Sequence, residues 1–291
     1  MTYPKNYTVV GAGNGGKAMA AHLALMGKEV TLFNRTFSHI EVIAKRRGIE
    51  LESFPGGPQG FAVLKKATSD VSEAMENAEV IMVVVPSSGH ADVAKRIAPY
   101  VHDGQIILLN PGRTFGAIEF DTTLRREGCQ ANAVVAETET FIYASRSDGP
   151  AQARIFRIKE AVPVAALPAN RTELVLNAIG DVYPQFIHGI DVLHTGLNNM
   201  GAIFHPALTI LNAGRIESTH GEFYIDGVTP SVGYVLEALD RERVTVASSV
   251  GIRARTAQEW LELAYNVQGK DLREAIHNQS GYYGIKAPST L

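Results

Sequence analysis

The clearest element in the chain is an unbroken branched-apolar run, EVIMVVVP from Glu79 to Pro86, closed by proline. Such a run predicts a strand buried on both faces. Shorter runs of the same kind recur: YTVV (Tyr7 to Val10), EVTLF (Glu29 to Phe33), QIILLNPG and ANAVVAET. Between them lie stretches whose apolar positions fall three and four residues apart, GKAMAAHLALMG, FSHIEVIAKRRG, DVSEAMENA, HADVAKRIAPYV and GAIEFDTTLRREG. These predict helices. FAVLKKATS, after the Gly/Pro-rich connection SFPGGPQG, predicts a further strand. Strands alternating with helices of this length imply a parallel sheet covered on both faces.

Beyond about Phe141 the rhythm changes. ARIFRIKEAVPVAALP predicts two antiparallel strands around Lys159 and Glu160, RTELVLNAIGDVYP a helix, and from Ile190 onward almost every stretch is helical. Thr229 before Pro230 marks a helix start, Gly251 its stop, and Thr256 to Glu259 a capping box. The expected fold is α/β: an N-terminal doubly wound parallel sheet over residues 1–180, then a mainly α-helical domain over 181–291. One helix carries a conflict. In NNMGAIFHPALTIL, His205 directly precedes Pro206 within an apolar stretch. Proline removes a backbone donor, clashes with the preceding turn and biases the residue before it away from helical geometry. A break in the helix beside an ionisable group is therefore expected.

Composition narrows the class of protein. With 45% hydrophobic and 20% charged residues over 291, the chain can bury a sizeable core unaided. A net charge of -3 argues against nucleic acid and anionic membrane as partners. A single cysteine, Cys129, excludes an internal disulfide and fits a reducing compartment. MTYPKNYTVVGAG lacks a secretory pattern and no apolar run is long enough to span a bilayer, so a cytoplasmic protein is expected.

The first strand runs into VVGAGNGGKAMA, which places Gly11, Gly13 and Gly16 in a G-x-G-x-x-G pattern between a strand and a helix. That context gives the pattern its meaning. Gly11 allows the tight turn, Gly13 the approach of a pyrophosphate, and Gly16 close packing of helix on strand. Asn14 and Gly15 complete the loop, whose amides would meet phosphates at the helix N-terminus. The second strand ends in Asn34 and Arg35, where a chain specific for NAD carries an acidic residue for the ribose 2′-hydroxyl. Asn34 leaves out the repelling charge and Arg35 offers charge-assisted bonds to a 2′-phosphate. NADP is therefore expected over NAD, which remains possible; a solvated surface arginine is the alternative. Pro86, Asn110 and Glu137 stand at other strand ends facing the same crevice and are further candidates for the cofactor. Arg113 and Thr138 stand beside them.

Glycerol-3-phosphate, 6-phosphogluconate and ketopantoate reductase types join such a nucleotide domain to a helical one bearing a lysine. Here no lysine occurs between Lys159 and Lys270, which counts against that mechanism. The chain instead resembles the octopine/nopaline-type opine dehydrogenases. The resemblance rests on VVGAGNGGKAMAAHLALMG, VIMVVVPSSGHADVA, ILLNPGRTFGAIEF, ETETFIYASR, LHTGLNNMGAIFHPALTILNAGRIES, GVTPSVGYVLEALDRER and GYYGIKAPSTL. It implies a Rossmann-type dinucleotide domain and a helical substrate and dimerisation domain. It further implies the reversible condensation of an amino acid with a 2-oxo acid and reduction of the imine by NAD(P)H. His205 of the His-Pro pair takes the family's proton-transfer role. Arg113, Thr138 and Asn199 are candidates to bind the substrate carboxylates, no metal site is expected, and a homodimer is the expected assembly. His194 lacks the following proline and is the weaker candidate for proton transfer, while His90 could approach the cofactor or cap its helix.

Family chains continue past the GIKAP equivalent into a segment that supplies an aspartate partner for the histidine, whereas this sequence stops at Leu291. The expectations are a C-terminally truncated domain, a partner from another subunit, or another carboxylate such as Glu217 or Asp226. Two other functions stay open at this point: another NADP-dependent reductase of the same architecture, and an NADP-binding homologue without turnover.

Overall fold

The computed structural model describes residues 3–219 and 221–288. The chain forms two compact units, Met1–Gly196 and Leu197–Leu291. The division falls after Gly196 rather than at the expected Gly180, because the chain adds one more strand to the first unit's sheet before leaving it.

In the first unit, β1 (Asn6–Val10) leads into α1 (Asn14–Leu25) and β2 (Glu29–Phe33), a parallel β-α-β opening. After α2 (Glu41–Arg46) come β3 (Gly48–Ser53), β4 (Gly60–Val63) and β5 (Lys66–Thr68). Next are α3 (Val71–Met75), β6 (Val80–Val83), α4 (His90–Ile97), β7 (Ile106–Leu109), α5 (Gly116–Arg126) and β8 (Val134–Thr138). The unit closes with β9 (Tyr143–Gly149), β10 (Gln152–Ile158), β11 (Val162–Leu167), α6 (Thr172–Ile179), β12 (Phe186–His188) and α7 (Val192–Leu197, whose last residue opens the second unit).

Eight strands make the main sheet, in the order β12-β11-β8-β7-β6-β1-β2-β5. All neighbours are parallel except β8 and β11. Every residue of β6, β7 and β8 is buried, as the continuous apolar runs predict for strands covered on both sides.

A second, four-stranded sheet, β4-β3-β10-β9, corrects two expectations. The stretch FAVLKKATS is not one strand: its start is β4, antiparallel to β3, and its end is β5, on the edge of the main sheet. Nor do β10 and β11 pair with each other. β10 lies antiparallel to β9 and parallel to β3, whereas β11 joins the main sheet. Period-two patterns fix which face a strand buries, not which strand it meets.

α1 packs against strands of both sheets, and its residues from Gly16 to Leu23 are buried. Alanine and glycine along GKAMAAHLAL let both layers approach. The two polar side chains it buries find partners in β9. Lys17 Nζ donates to Ser147 Oγ (3.0 Å) and to the Gly149 carbonyl (3.1 Å). His22 Nδ1 shares a hydrogen bond with the Tyr143 hydroxyl (2.7 Å), which donates to Tyr183 (2.9 Å). Buried polar groups must be satisfied in this way or they oppose folding.

The second unit comprises α8 (Met200–Leu211), α9 (Ala213–Thr219), α10 (Pro230–Ser249), α11 (Ala257–Tyr265) and α12 (Leu272–Asn278) around a core that includes Phe204, Leu208, Leu236, Trp260 and Ile276. Thr229 accepts from the Val232 amide, and Thr256 with Glu259 forms the reciprocal capping box. Asp240, buried, binds both Arg243 (2.7 Å) and the Ala257 amide (2.7 Å), so one carboxylate joins α10 to the start of α11. The break expected at Pro206 does not occur: α8 runs through it. Ile203, Phe204, Ala207 and Leu208 bury one face, which holds the helix together although Pro206 cannot donate to Ala202. Among the described residues no helix is long and apolar enough to cross a membrane.

Candidate active site

Gly11 leaves β1 with φ +108°, and a Cβ there would lie 2.3 Å from the Val84 carbonyl oxygen. At Gly16 a Cβ would lie 1.8 Å from the Gly11 carbonyl oxygen. Both positions thus require glycine, one for conformation and contact, the other for contact alone. A Cβ at Gly13 would meet nothing within 4 Å, so the chain is open to a ligand there. Gly13 is also the cap of α1 and brings no side chain to it. The first-turn amides, which have no partner inside a helix, are left for an anion. Gly15 backs onto the Phe141 ring, and Asn14 Oδ1 accepts from the Ser147 amide (3.0 Å), so Asn14 anchors the loop to the second sheet.

From this cradle a cavity of about 380 Å³ extends along the carboxyl ends of β1, β2 and β6. Gly11, Gly13, Asn34, Arg35 and Pro86, all expected at the cofactor, line it together. Asn34 Oδ1 accepts from the Ala12 amide (3.3 Å) and its Nδ2 donates to the Thr36 carbonyl (2.9 Å), which fixes the β2 end against the glycine loop. Arg35 is 70% exposed and reaches the carboxylate of Asp92 on α4 (3.7 Å). His39, Asp92 and Arg96 also line the cavity. The sequence reading missed them; the only signal was the i, i+4 pair of Asp92 and Arg96 on one helix face. The cavity, the glycine cradle and the open helix N-terminus fit the adenosine and pyrophosphate parts of a dinucleotide.

Two other expected cofactor contacts are turned inward. Glu137 is fully buried; its carboxylate accepts from Thr195 Oγ1 (2.5 Å) and from the Ala117 amide (2.7 Å), tying α7 to the start of α5. Burial pushes its pKa up to about 7, against the two bonds that favour the anion. Asn110 is buried as well, and its Nδ2 donates back to the Leu108 carbonyl (2.8 Å). Both are braces because the strand ends that carry them are roofed by the loop after β7. Thr138, expected at substrate, is buried and bonds the Leu109 carbonyl (3.3 Å).

Arg113 occupies that roofing loop in a left-handed conformation, φ +63°. Its charge acts on two buried groups. His90, fully buried at the start of α4, is pushed down to about 4 by burial and then by Arg113. Lys159, which donates to the Phe141 carbonyl (2.5 Å), is pushed down to about 7 by burial and then by Arg113. His90 is thus a neutral packing residue against Phe120 and Gly116, not an approach to the cofactor. His194 shares a hydrogen bond with Asp191 (2.8 Å) in the first turn of its own helix.

In the helical unit, Asn199 is buried at the cap position of α8. His205 is exposed at the edge of α8's buried face, its ring 6.3 and 6.4 Å from those of the core residues Phe223 and Tyr224, and its Nε2 shares a hydrogen bond with the Tyr224 hydroxyl (3.0 Å). Tyr224 in turn stacks on Tyr282 with ring centroids 4.1 Å apart. Of the carboxylates considered for His205, Asp226 accepts from the Glu222 amide (2.7 Å) and faces Arg215 (3.7 Å), while Glu217 is exposed on α9. Among the described residues no cluster of His, Cys, Asp and Glu could hold a metal ion.

Residues 189–291 match the family model described as NAD/NADP octopine/nopaline dehydrogenase, alpha-helical domain, and residues 6–112 that of the NAD-dependent glycerol-3-phosphate dehydrogenase N-terminus. An octopine dehydrogenase solved with NADH and L-arginine shares the fold at a TM-score of 0.78 and 20% identity, covering 99% of this chain and 76% of that one. A yersinopine dehydrogenase with NADP+ bound does so at 0.76 and 12%, covering 98% and 78%. The opine dehydrogenase of Arthrobacter sp. (strain 1C) is 39% identical over 100% of this chain and 80% of its own length. A likeness of that extent decides the matter: the chain belongs to the opine dehydrogenases, NAD(P)-dependent oxidoreductases acting on CH–NH bonds.

Proposed function

We propose that this enzyme joins the amine of an amino acid to a small 2-oxo acid and reduces the resulting imine, with NADPH preferred to NADH and His205 as the proton carrier. The observation that carries the reading is His205 itself. It precedes a proline retained inside an intact helix, is exposed at the edge of the buried face, and has the core residue Tyr224 bonded to Nε2. The octopine dehydrogenase named above was solved with an amino acid, which supports the proposed substrate class. When bound, the nicotinamide supplies the hydride that reduces the imine carbon.

The chain's own residues handle binding and protons. The loop at Gly11–Gly16 and the first turn of α1 hold the pyrophosphate, and Asn34 and Arg35 take the adenosine ribose and its 2′-phosphate. His205 protonates the departing hydroxyl as the carbinolamine loses water, and in reverse removes the proton of the secondary amine before oxidation. Imidazole ionises near neutrality and serves both directions. The Tyr224 hydroxyl holds the ring in one orientation. Arg113 and Asn199 remain the proposed carboxylate ligands; Thr138 is set aside, since its hydroxyl is spent on the Leu109 carbonyl and its own carbonyl accepts from the Gly112 amide. We place the enzyme in the cytoplasm as a homodimer. The exposed apolar side chains of α10, Tyr234, Val235 and Val246, support a further contact there; a sedimenting species of 31.4 kDa would overturn the dimer.

The test is NADPH oxidation with 2-oxo acids crossed against amino acids. His205→Ala should lower kcat by about 10²- to 10⁴-fold, the usual share of a general acid–base; undiminished turnover overturns the assignment. Oxidation with a 2-oxo acid alone would indicate a plain 2-oxo acid reductase instead. Arg35→Ala should weaken NADPH by roughly tenfold or more while sparing NADH, as loss of a charge-assisted bond does. Equal losses would remove the cofactor preference.

A further inference from the structure

The cavity has two walls of unlike origin. One is the end of β2, with Asn34, Arg35 and His39; the other is α4, which contributes Asp92 and Arg96. A single oxygen of Asp92 joins them: Oδ2 accepts from Arg96 Nε (2.9 Å) and lies 3.7 Å from Arg35 Nη1. The bond from Arg96 and then the charges of Arg96 and Arg35 hold the Asp92 carboxyl below the usual range. It is an anion gathered by two guanidiniums, with Lys95 contributing charge nearby.

A phosphate monoester carries about -1.5 to -2 at neutral pH and three acceptor oxygens. It can therefore engage two guanidiniums together, with more charge than a carboxylate brings. An adenosine 2′-hydroxyl has no such claim on them, and a carboxylate left beside it accepts its hydrogen bond. Chains specific for NAD supply that carboxylate from the end of β2. Here the β2 end is Asn34, and the acid stands across the cavity.

We propose that Asp92 is an internal competitor for the 2′-phosphate of the cofactor, holding Arg35 and Arg96 in its place, and that Arg96 is the second phosphate ligand. This rests on the reading that the cavity takes the adenosine end of NADP. With NADP, the phosphate takes both arginines and Asp92 repels it from the side. With NAD, Asp92 keeps the arginines and accepts from the ribose. Cofactor preference is then set by a balance across the cavity, not by Arg35 alone.

The probes are 2′,5′-ADP and 5′-AMP, which differ only in the 2′-phosphate, titrated calorimetrically into the full chain. Asp92→Asn should tighten 2′,5′-ADP about fivefold, the size of one exposed charge interaction, with 5′-AMP unchanged or slightly weaker. Arg96→Ala should weaken 2′,5′-ADP several-fold and leave 5′-AMP alone. The proposal is overturned if Asp92→Asn leaves 2′,5′-ADP unchanged, or if either variant shifts both probes equally. Arg35→Ala separates the two levels. Selective loss of 2′,5′-ADP there, with Asp92→Asn neutral, sinks the competitor and spares NADP preference. Equal loss of both probes sinks the NADP reading itself. All three side chains are well exposed, and unchanged melting temperatures confirm that binding alone is read.

Discussion

Glu137 shows what a strand end can do besides touching a ligand. Its folded pKa of about 7 exceeds the 4.5 of an unfolded chain, so the folded state binds the proton more tightly. Below pH 4.5 both states are protonated and nothing is lost. Between 4.5 and 7 the unfolded state ionises first, and stability falls as pH rises. The full difference corresponds to about 3 kcal/mol. Gln reproduces the protonated acid, donating toward Thr195 and accepting from Ala117. Glu137→Gln should therefore come closest to the parent below pH 4.5 and melt higher at pH 8; a parallel pH dependence for the two proteins would refute the assignment. His90 tilts the other way. Its folded pKa of about 4 lies below the ordinary value, so its contribution is present above pH 6.5 and lost as pH falls toward 4. A sequence shows Glu137 and Asn110 at strand ends but not the roof over them. That is why both read as ligands.

At the scale of elements, α8 is the informative case. A proline inside a helix costs about 3 kcal/mol relative to alanine, yet α8 continues through Pro206 because four apolar residues hold its other face. Pro206→Ala restores the donor toward Ala202 and should raise stability by about 1–3 kcal/mol, read as a higher melting temperature. If the proline is kept for function, kcat should fall as His205 is re-aimed. A variant both no more stable and fully active would remove any special role from the pair. The sequence identified the residues here and misjudged their effect, since local rules for proline do not weigh tertiary packing. The capping box at Thr256, the cap at Thr229 and the β1–α1 turn were legible because they are local. The second sheet was not: β3 finds β10 across most of the unit, and nothing within either strand names the other.

The molecule as a whole is built of two units with separate cores. Saturating NADP+ at about 100 times its Kd should stabilise whatever binds it by about 2.7 kcal/mol. Hydrogen exchange should accordingly slow at residues 10–17, 34–39 and 86–96 of the α/β unit. Protection confined to the helical unit would show that the cavity is not the cofactor site. Family membership was readable from the glycine loop and the His-Pro helix together, because each has chemistry attached to residue type. Arg96 and Asp92 were not, because ordinary charged helix residues become a site only when a neighbouring strand ends beside them.

The burial of α1 between two sheets has an evolutionary corollary. From Gly16 to Leu23 no face of that helix is free to drift, and Gly11 and Gly16 can change only at the expense of the fold. Arg35, Asp92 and Arg96 project from solvent-facing edges and can be rewritten one at a time. If these side chains set the choice of cofactor as proposed, lineages descending from such an ancestor are free to exchange one dinucleotide for the other by a few surface codons, while Gly11 and Gly16 stay fixed by the packing around them.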